Sequence, residues 1–116
     1  MSRRELYLKV RAKIDEYGNT VVRKNGPVRI VDLRSEILNL CNSNIQTIVN
    51  ESPTFFKRYD TKVQVSINRV KSQRFLVTIY IGLDALILRC VFDFDNHKYT
   101  SKYDATEIMR QINATY

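Results

Sequence analysis

Asn44, Gln46, Thr47 and Asn50 form a row of uncharged hydrogen-bonding side chains opposite an apolar stripe of Ile45, Ile48 and Val49. Amides and hydroxyls on the polar side of a short helix can pair with base edges, which is the chemistry of recognition rather than of bond breaking. Ser43 stands before them as a helix cap, and Gln46 three residues on completes an S-x-x-Q capping box. Cations suited to phosphate flank this row on both sides. Arg23 and Lys24 lie in a loop beside Gly26, Lys57 and Arg58 follow an aromatic pair, and Arg69, Lys71 and Arg74 crowd a hairpin tip. These residues make up the candidate DNA-binding set.

Little else points to catalysis. The chain has no H-E-x-x-H, no glycine-rich phosphate loop among its three glycines, no nucleophile elbow and a single histidine. His97 sits near Asp93 and Asp95, but carboxylates beside a tight turn serve turn chemistry, so no metal is expected there. A carboxylate-only nuclease using Asp84, Asp93 and Asp95 is the one enzymatic pattern left open. Cys41 and Cys90 fall in core-facing segments without metal-ligand spacing and read as buried free thiols. No cofactor and no small-molecule substrate is indicated, and the expectation is a protein that is not an enzyme.

The elements that must carry these residues follow from apolar periodicity. Ser2 to Tyr17 reads as a first helix, with Leu6, Val10, Ile14 and Tyr17 as its stripe and Gly18 as its terminator. Its outer face is basic, through Arg3, Arg4, Lys9, Arg11 and Lys13. A short strand, Val28 to Ile30, precedes a helix capped by Asp32 and striped by Leu33, Ile37 and Leu40, and a third helix runs from Ser43 to Glu51. Pro53 ends the helical pattern. Phe55, Phe56 and Tyr59 then read mainly as core. Val63, Val65 and Ile67 alternate, as do Phe75, Val77, Ile79 and Ile81, giving a hairpin over residues 62 to 81 with its tip at residues 68 to 74. Leu86, Leu88, Cys90, Phe92 and Phe94 make one face of a further strand, Lys98 to Ser101 a fourth, and Asp104 to Tyr116 a closing helix striped by Ile108, Met109 and Ile112.

At 116 residues the chain is one domain, and 44% apolar content is enough for a modest core. No apolar run spans a bilayer and no signal peptide is recognisable, so an intracellular protein is expected. The net charge of +7 is unevenly distributed. Residues 1 to 80 carry 15 Lys and Arg against 7 Asp and Glu, whereas residues 81 to 116 carry 4 against 5. A polyanionic partner for the first part and a neutral, self-associating second part fit this asymmetry.

The order of helix, short strand, two helices and hairpin over residues 2–81 resembles a winged helix-turn-helix domain. The SPTFFKRYD segment also looks like the S-P-x-F lead-in to the first wing strand seen in that superfamily. The resemblance implies an α+β fold, a winged helix-turn-helix extended over residues 82–116 by a second β-hairpin and a C-terminal helix. It further implies that the third helix enters the major groove of double-stranded DNA while the tip near Lys71 touches backbone or minor groove. The third helix carries no arginine, so base contacts fall to Asn44, Gln46, Thr47 or Asn50. The expected function is a small transcriptional regulator or DNA-organising protein acting as a homodimer through residues 82–116. The alternatives are a protein-interaction module in a larger assembly and, third, RNA binding on the antiparallel sheet.

Overall fold

The computed structural model describes residues 3–24, 26–82 and 85–101, with side chains at 85–87 excepted. Two long helices, α1 (Arg3–Val21) and α2 (Ile30–Glu51), precede a single helical turn, α3 (Pro53–Phe56). A four-stranded meander follows: β1 (Val63–Lys71), β2 (Arg74–Ile81), β3 (Ala85–Asp93) and β4 (Lys98–Ser101). The strands pair antiparallel in the order β1-β2-β3-β4. Both long helices lie on the same face of this sheet, α2 against β1 and α1 against β3 and β4. The α+β class expected from the sequence is the class observed.

The expected helix-turn-helix is replaced by one unbroken helix. Leu33, Ile37, Cys41, Ile45 and Ile48 continue a single buried stripe across Asn42 and Ser43, and no glycine or proline interrupts residues 30 to 51. Ser43 and Gln46 therefore form no capping box. Thr47 Oγ1 donates instead to the Ser43 carbonyl at 3.1 Å and Asn44 Nδ2 to the Leu40 carbonyl at 2.7 Å. Such back-bonding one turn toward the N-terminus is how short polar side chains are accommodated inside a helix. The short strand expected at residues 28 to 30 is absent from the sheet. Arg29, extended at φ −89° and ψ 138°, is the residue before α2, and Asp32 lies in the first turn 3.5 Å from the Arg29 guanidinium. Its carboxylate there complements the helix dipole rather than capping the helix by a hydrogen bond.

The first helix runs past its expected end at Gly18. A Cβ at Gly18 would overlap the ring of Tyr99, so glycine serves close approach of α1 to β4 and not a left-handed terminus. The left-handed glycine of this region is Gly26, at φ 95°, in the connection to α2. Tyr99, thus seated, donates its hydroxyl to Asp15 Oδ1 at 2.6 Å.

The core fills the space between helices and sheet. Leu6, Ile14, Leu33 and Ile37 from the helices meet Phe75, Val77 and Ile79 of β2 and Leu88, Cys90 and Phe92 of β3. Each such side chain contributes about 1.5–3 kcal/mol through removal from water. Cys41 and Cys90 are free and buried, and burial pushes both thiols up to about 12. They behave as small hydrophobes. The opposite face of the sheet carries Gln64, Ser66 and Asn68 of β1, Arg74, Leu76, Thr78 and Tyr80 of β2, and Lys98 and Thr100 of β4. The closing helix expected at Asp104 to Tyr116 lies outside the described residues, as does much of the expected dimer element.

Candidate nucleic-acid interface

Two regions at opposite ends of a molecule 44 Å long collect the candidate cations. The first is built on the β1–β2 turn, which is tighter than the loop expected from the sequence. The strands extend to Lys71 and Arg74, so only Ser72 and Gln73 turn the chain, with Ser72 at φ 43°. Arg69, Lys71 and Arg74 are consequently held on strand ends. Gln73 ties three connections together. Its side-chain oxygen accepts from Val28 N at 2.6 Å, its own N donates to Asp95 Oδ2 at 3.1 Å, and its carbonyl accepts from Phe94 N at 3.0 Å. The His97 ring nitrogen Nδ1 pairs with the Val22 carbonyl at 2.8 Å, fastening the β3–β4 turn to the end of α1.

These bonds bring Arg23 and Lys24 of the α1–α2 connection to the same end as the hairpin cations and Lys98. Lys24, Gln73, Asp95 and His97 line one cleft of about 330 Å³ there. Carboxylates orient part of this charge without cancelling it. Arg74 Nε lies 3.4 Å from Asp93 Oδ2, and Asp93 also accepts from Asn96 N and Asn96 Nδ2, at 3.1 and 2.9 Å. The Asn96 amide, helped by Arg74 and opposed by burial, holds the Asp93 carboxyl below its usual range. Arg69 donates to the Ser72 carbonyl and sets its guanidinium 5.0 Å from the centroid of Phe75. Among the described residues no group of three His, Cys, Asp or Glu side chains is placed to hold a metal ion. Asp93 and Asp95 are engaged as turn and ion-pair partners.

The polar row on α2 is not part of this surface. The hairpin turn meets Val28, just before α2 begins, while Thr47 lies roughly 25 Å further along the helix at 1.5 Å per residue. Ser43, Gln46, Thr47 and Asn50 are exposed and Asn44 is half-buried. Gln46 Nε2 donates to Asn50 Oδ1 at 2.9 Å, so the amides satisfy one another on their own helix. The juxtaposition of a reading helix and a basic finger expected from the sequence is thereby corrected: the two are separated along the molecule.

The second region surrounds α3. Ser52, at φ −142° and ψ 59°, breaks α2 before Pro53, as the sequence suggested, and Pro53 then opens the further helical turn α3, which the sequence reading did not include. Phe56 turns into the core at 3% exposure, whereas Phe55 stays 39% exposed. Phe55 meets Phe56 edge-on at 4.9 Å and Tyr59 at 5.4 Å. The Arg3 guanidinium stands 4.6 Å from the Tyr59 centroid and donates to the Tyr7 hydroxyl at 2.8 Å. Thr54, Phe55, Lys57, Arg58 and Tyr59 line an open groove of about 620 Å³. Sequence reasoning placed Lys57 and Arg58 among the candidates, read Phe55 mainly as core and Arg3 as part of a basic helix face, and gave Gln73 no role of its own. The adjacency of Phe55 and Phe56 after a helix break is the signal that separates them, since two neighbouring side chains there do not both face one core.

No helix among the described residues is long and apolar enough to cross a membrane. No protein-family model, curated protein or solved structure matches the chain.

Proposed function

We propose that this chain is a non-enzymatic DNA-binding protein that grips duplex DNA by its phosphates, with the β1–β2 hairpin end leading. The observation that carries this reading is the convergence of Arg23, Lys24, Arg69, Lys71, Arg74 and Lys98 on one end through the hydrogen bonds of Gln73. Cations held on strand ends and short turns suit a rigid, regularly spaced polyanion. Side chains aimed at phosphate position a protein on DNA without reading its sequence. Weak sequence preference is therefore expected, which fits a DNA-organising protein better than a regulator with a defined operator.

The winged-helix resemblance enters in modified form. The hairpin occupies the place of a wing in the order of elements, but the unbroken α2 leaves no separate recognition helix, so the wing-like hairpin rather than a helix makes the leading contact. Two copies acting together would double the phosphate contacts, as the near-neutral second part of the chain permits.

A gel-shift titration on random-sequence duplex tests the reading. Log affinity should fall linearly with log salt at about 0.9 per phosphate neutralised. Binding that is absent at low salt, or indifferent to salt, overturns it.

One observation favours a second reading, a protein-interaction module. On the sheet face away from the helices, Val70, Leu76 and Val91 line a shallow hollow of about 500 Å³ with Val70 54% exposed. Recovery of one nuclease-resistant protein partner that Val70→Asp abolishes would support that reading over DNA binding.

A further inference from the structure

The groove beside α3 has features that phosphate gripping does not use. Phe55 stays 39% exposed although Phe56, its neighbour in sequence, is packed away. Its position is fixed rather than loose, because Phe56 and Tyr59 buttress it and the Arg3 guanidinium in turn covers Tyr59. Lys57 and Arg58, both exposed, line the same groove with Thr54. An aromatic wall set among cations is complementary to a ligand that is flat and apolar on its faces and anionic along its edge.

We infer that this groove takes an unpaired nucleobase, stacked on Phe55, with the adjoining phosphates of a single strand on Lys57 and Arg58. Intact duplex buries its base faces in its own stack, so it gains nothing from an exposed ring. An apolar peptide would leave both cations unused. A base from a single strand uses the ring and the cations together, and stacking of this kind tolerates any base because each has a π-face. The inference rests on the nucleic-acid reading but adds a second mode at the end of the molecule opposite the hairpin. A duplex held at one end and an unpaired strand at the other are then separate contacts of one protein.

The test uses the full chain with a thymidine oligonucleotide of about 12 nucleotides, within the ~4–16 that single-strand-binding OB folds cover, and a random duplex at fixed salt. Phe55→Ala should lower oligonucleotide affinity about tenfold or more and leave duplex affinity unchanged. Lys57→Ala with Arg58→Ala should flatten the single-strand salt dependence by about 0.7 per phosphate lost. Since the chain contains no tryptophan, Phe55→Trp supplies a single indole whose emission should be quenched by the oligonucleotide and not by polyphosphate, which has charge but no bases. Equal oligonucleotide affinity for Phe55→Ala and the unaltered chain, or equal quenching by polyphosphate, overturns the inference while duplex binding still stands. Failure to bind either nucleic acid at low salt overturns both.

Discussion

The two ends of the molecule both carry cations but hold them in different ways. At the hairpin end the cations are fixed by polar bonds: Arg74 by Asp93, Arg29 by Asp32, and the connections that carry Lys24 and Lys71 by Gln73. At the α3 end the organising contacts are rings, with Phe55 edge-on to Phe56 and tilted against Tyr59, and Arg3 laid over Tyr59. A polar lattice fixes where charge sits, and the apolar surface beside it, at Val70, Leu76 and Val91, is aliphatic and offers no ring. The ring lattice leaves Phe55 partly exposed in a groove that Lys57 and Arg58 also line. Cations at two sites therefore do not imply equal ligands, and the supporting contacts are what separate them.

The largest effect that can break this comparison comes from the paired phenylalanines. Phe56→Ala removes a buried ring and should destabilise the chain by about 3–5 kcal/mol, while Phe55→Ala, one residue away, loses a partly exposed ring with its contacts to Phe56 and Tyr59 and should cost about 1–2 kcal/mol. Urea denaturation of both variants measures this. If Phe55→Ala costs as much as Phe56→Ala, Phe55 is a core residue and the α3 end offers no open ring.

Next in size is the close packing that anchors the hairpin end. Gly18→Ala inserts a methyl into the ring of Tyr99 and should cost about 1–3 kcal/mol by overpacking. Removing the ring as well, in Gly18→Ala with Tyr99→Ala, should relieve that clash. A thermal melt of Gly18→Ala equal to that of the unaltered chain would show that the α1–β4 approach is looser than described.

The accuracy of the sequence reading followed the same division between polar and apolar determinants. Strand alternation in Val63, Val65 and Ile67, and in Phe75 to Ile81, specified β1 and β2 because one face is buried and one is not. The break at Ser52–Pro53 was legible from proline chemistry. The capping box at Ser43 and Gln46 misled, because it reports only that these side chains can serve a helix start. The uninterrupted spacing of Leu33, Ile37, Cys41, Ile45 and Ile48 was the stronger signal, and burial of that stripe decides for one helix. Gly18 was read as a terminator because sequence alone cannot distinguish a glycine needed for its φ from one needed for its lack of a Cβ. At the candidate site, the basic residues were identifiable one by one, but their grouping was not. Gln73, which gathers them, has no distinguishing sequence context, since its partners Val28, Phe94 and Asp95 are brought near only by the fold.

A smaller effect separates the ends by their salt dependence. Lys71→Ala with Arg74→Ala should reduce the slope of log affinity for duplex against log salt by about 0.9 each, roughly 1.8 together. Lys57→Ala with Arg58→Ala should leave that duplex slope unchanged. Equal losses from the two pairs would mean that duplex runs the length of the molecule and that the ends do not differ in ligand.

Acid titration should produce a subtler difference confined to the hairpin end. The Asp93 carboxyl is held below its usual 3.8, first by the Asn96 side chain. A group depressed in the folded state contributes stability above its unfolded value, and that contribution is lost as pH falls through the folded value. Asn96→Ala should therefore lower stability at neutral pH and flatten its decline on acidification. Urea midpoints measured from neutral pH down into the acid range check both signs. An Asn96→Ala curve parallel to that of the unaltered chain would mean that the amide does not hold the carboxylate.

The smallest expected effect concerns the polar row on α2, and its smallness is the informative point. Gln46 donates to Asn50 and Thr47 to the Ser43 carbonyl, so on helix-borne contacts alone each is satisfied without DNA. They also lie far along α2 from the turn at Ser72 and Gln73. Gln46→Ala and Thr47→Ala should leave duplex affinity, salt slope and sequence preference as they are, with stability changed by no more than about 0.5 kcal/mol, as for surface positions in general. A sequence preference lost in either variant would require DNA to reach the middle of α2. Duplex would then have to lie along the helix rather than across the hairpin end, and the phosphate contacts assigned to Lys71 and Arg74 would have to be reassigned to Arg3, Lys9 and Lys13 on α1.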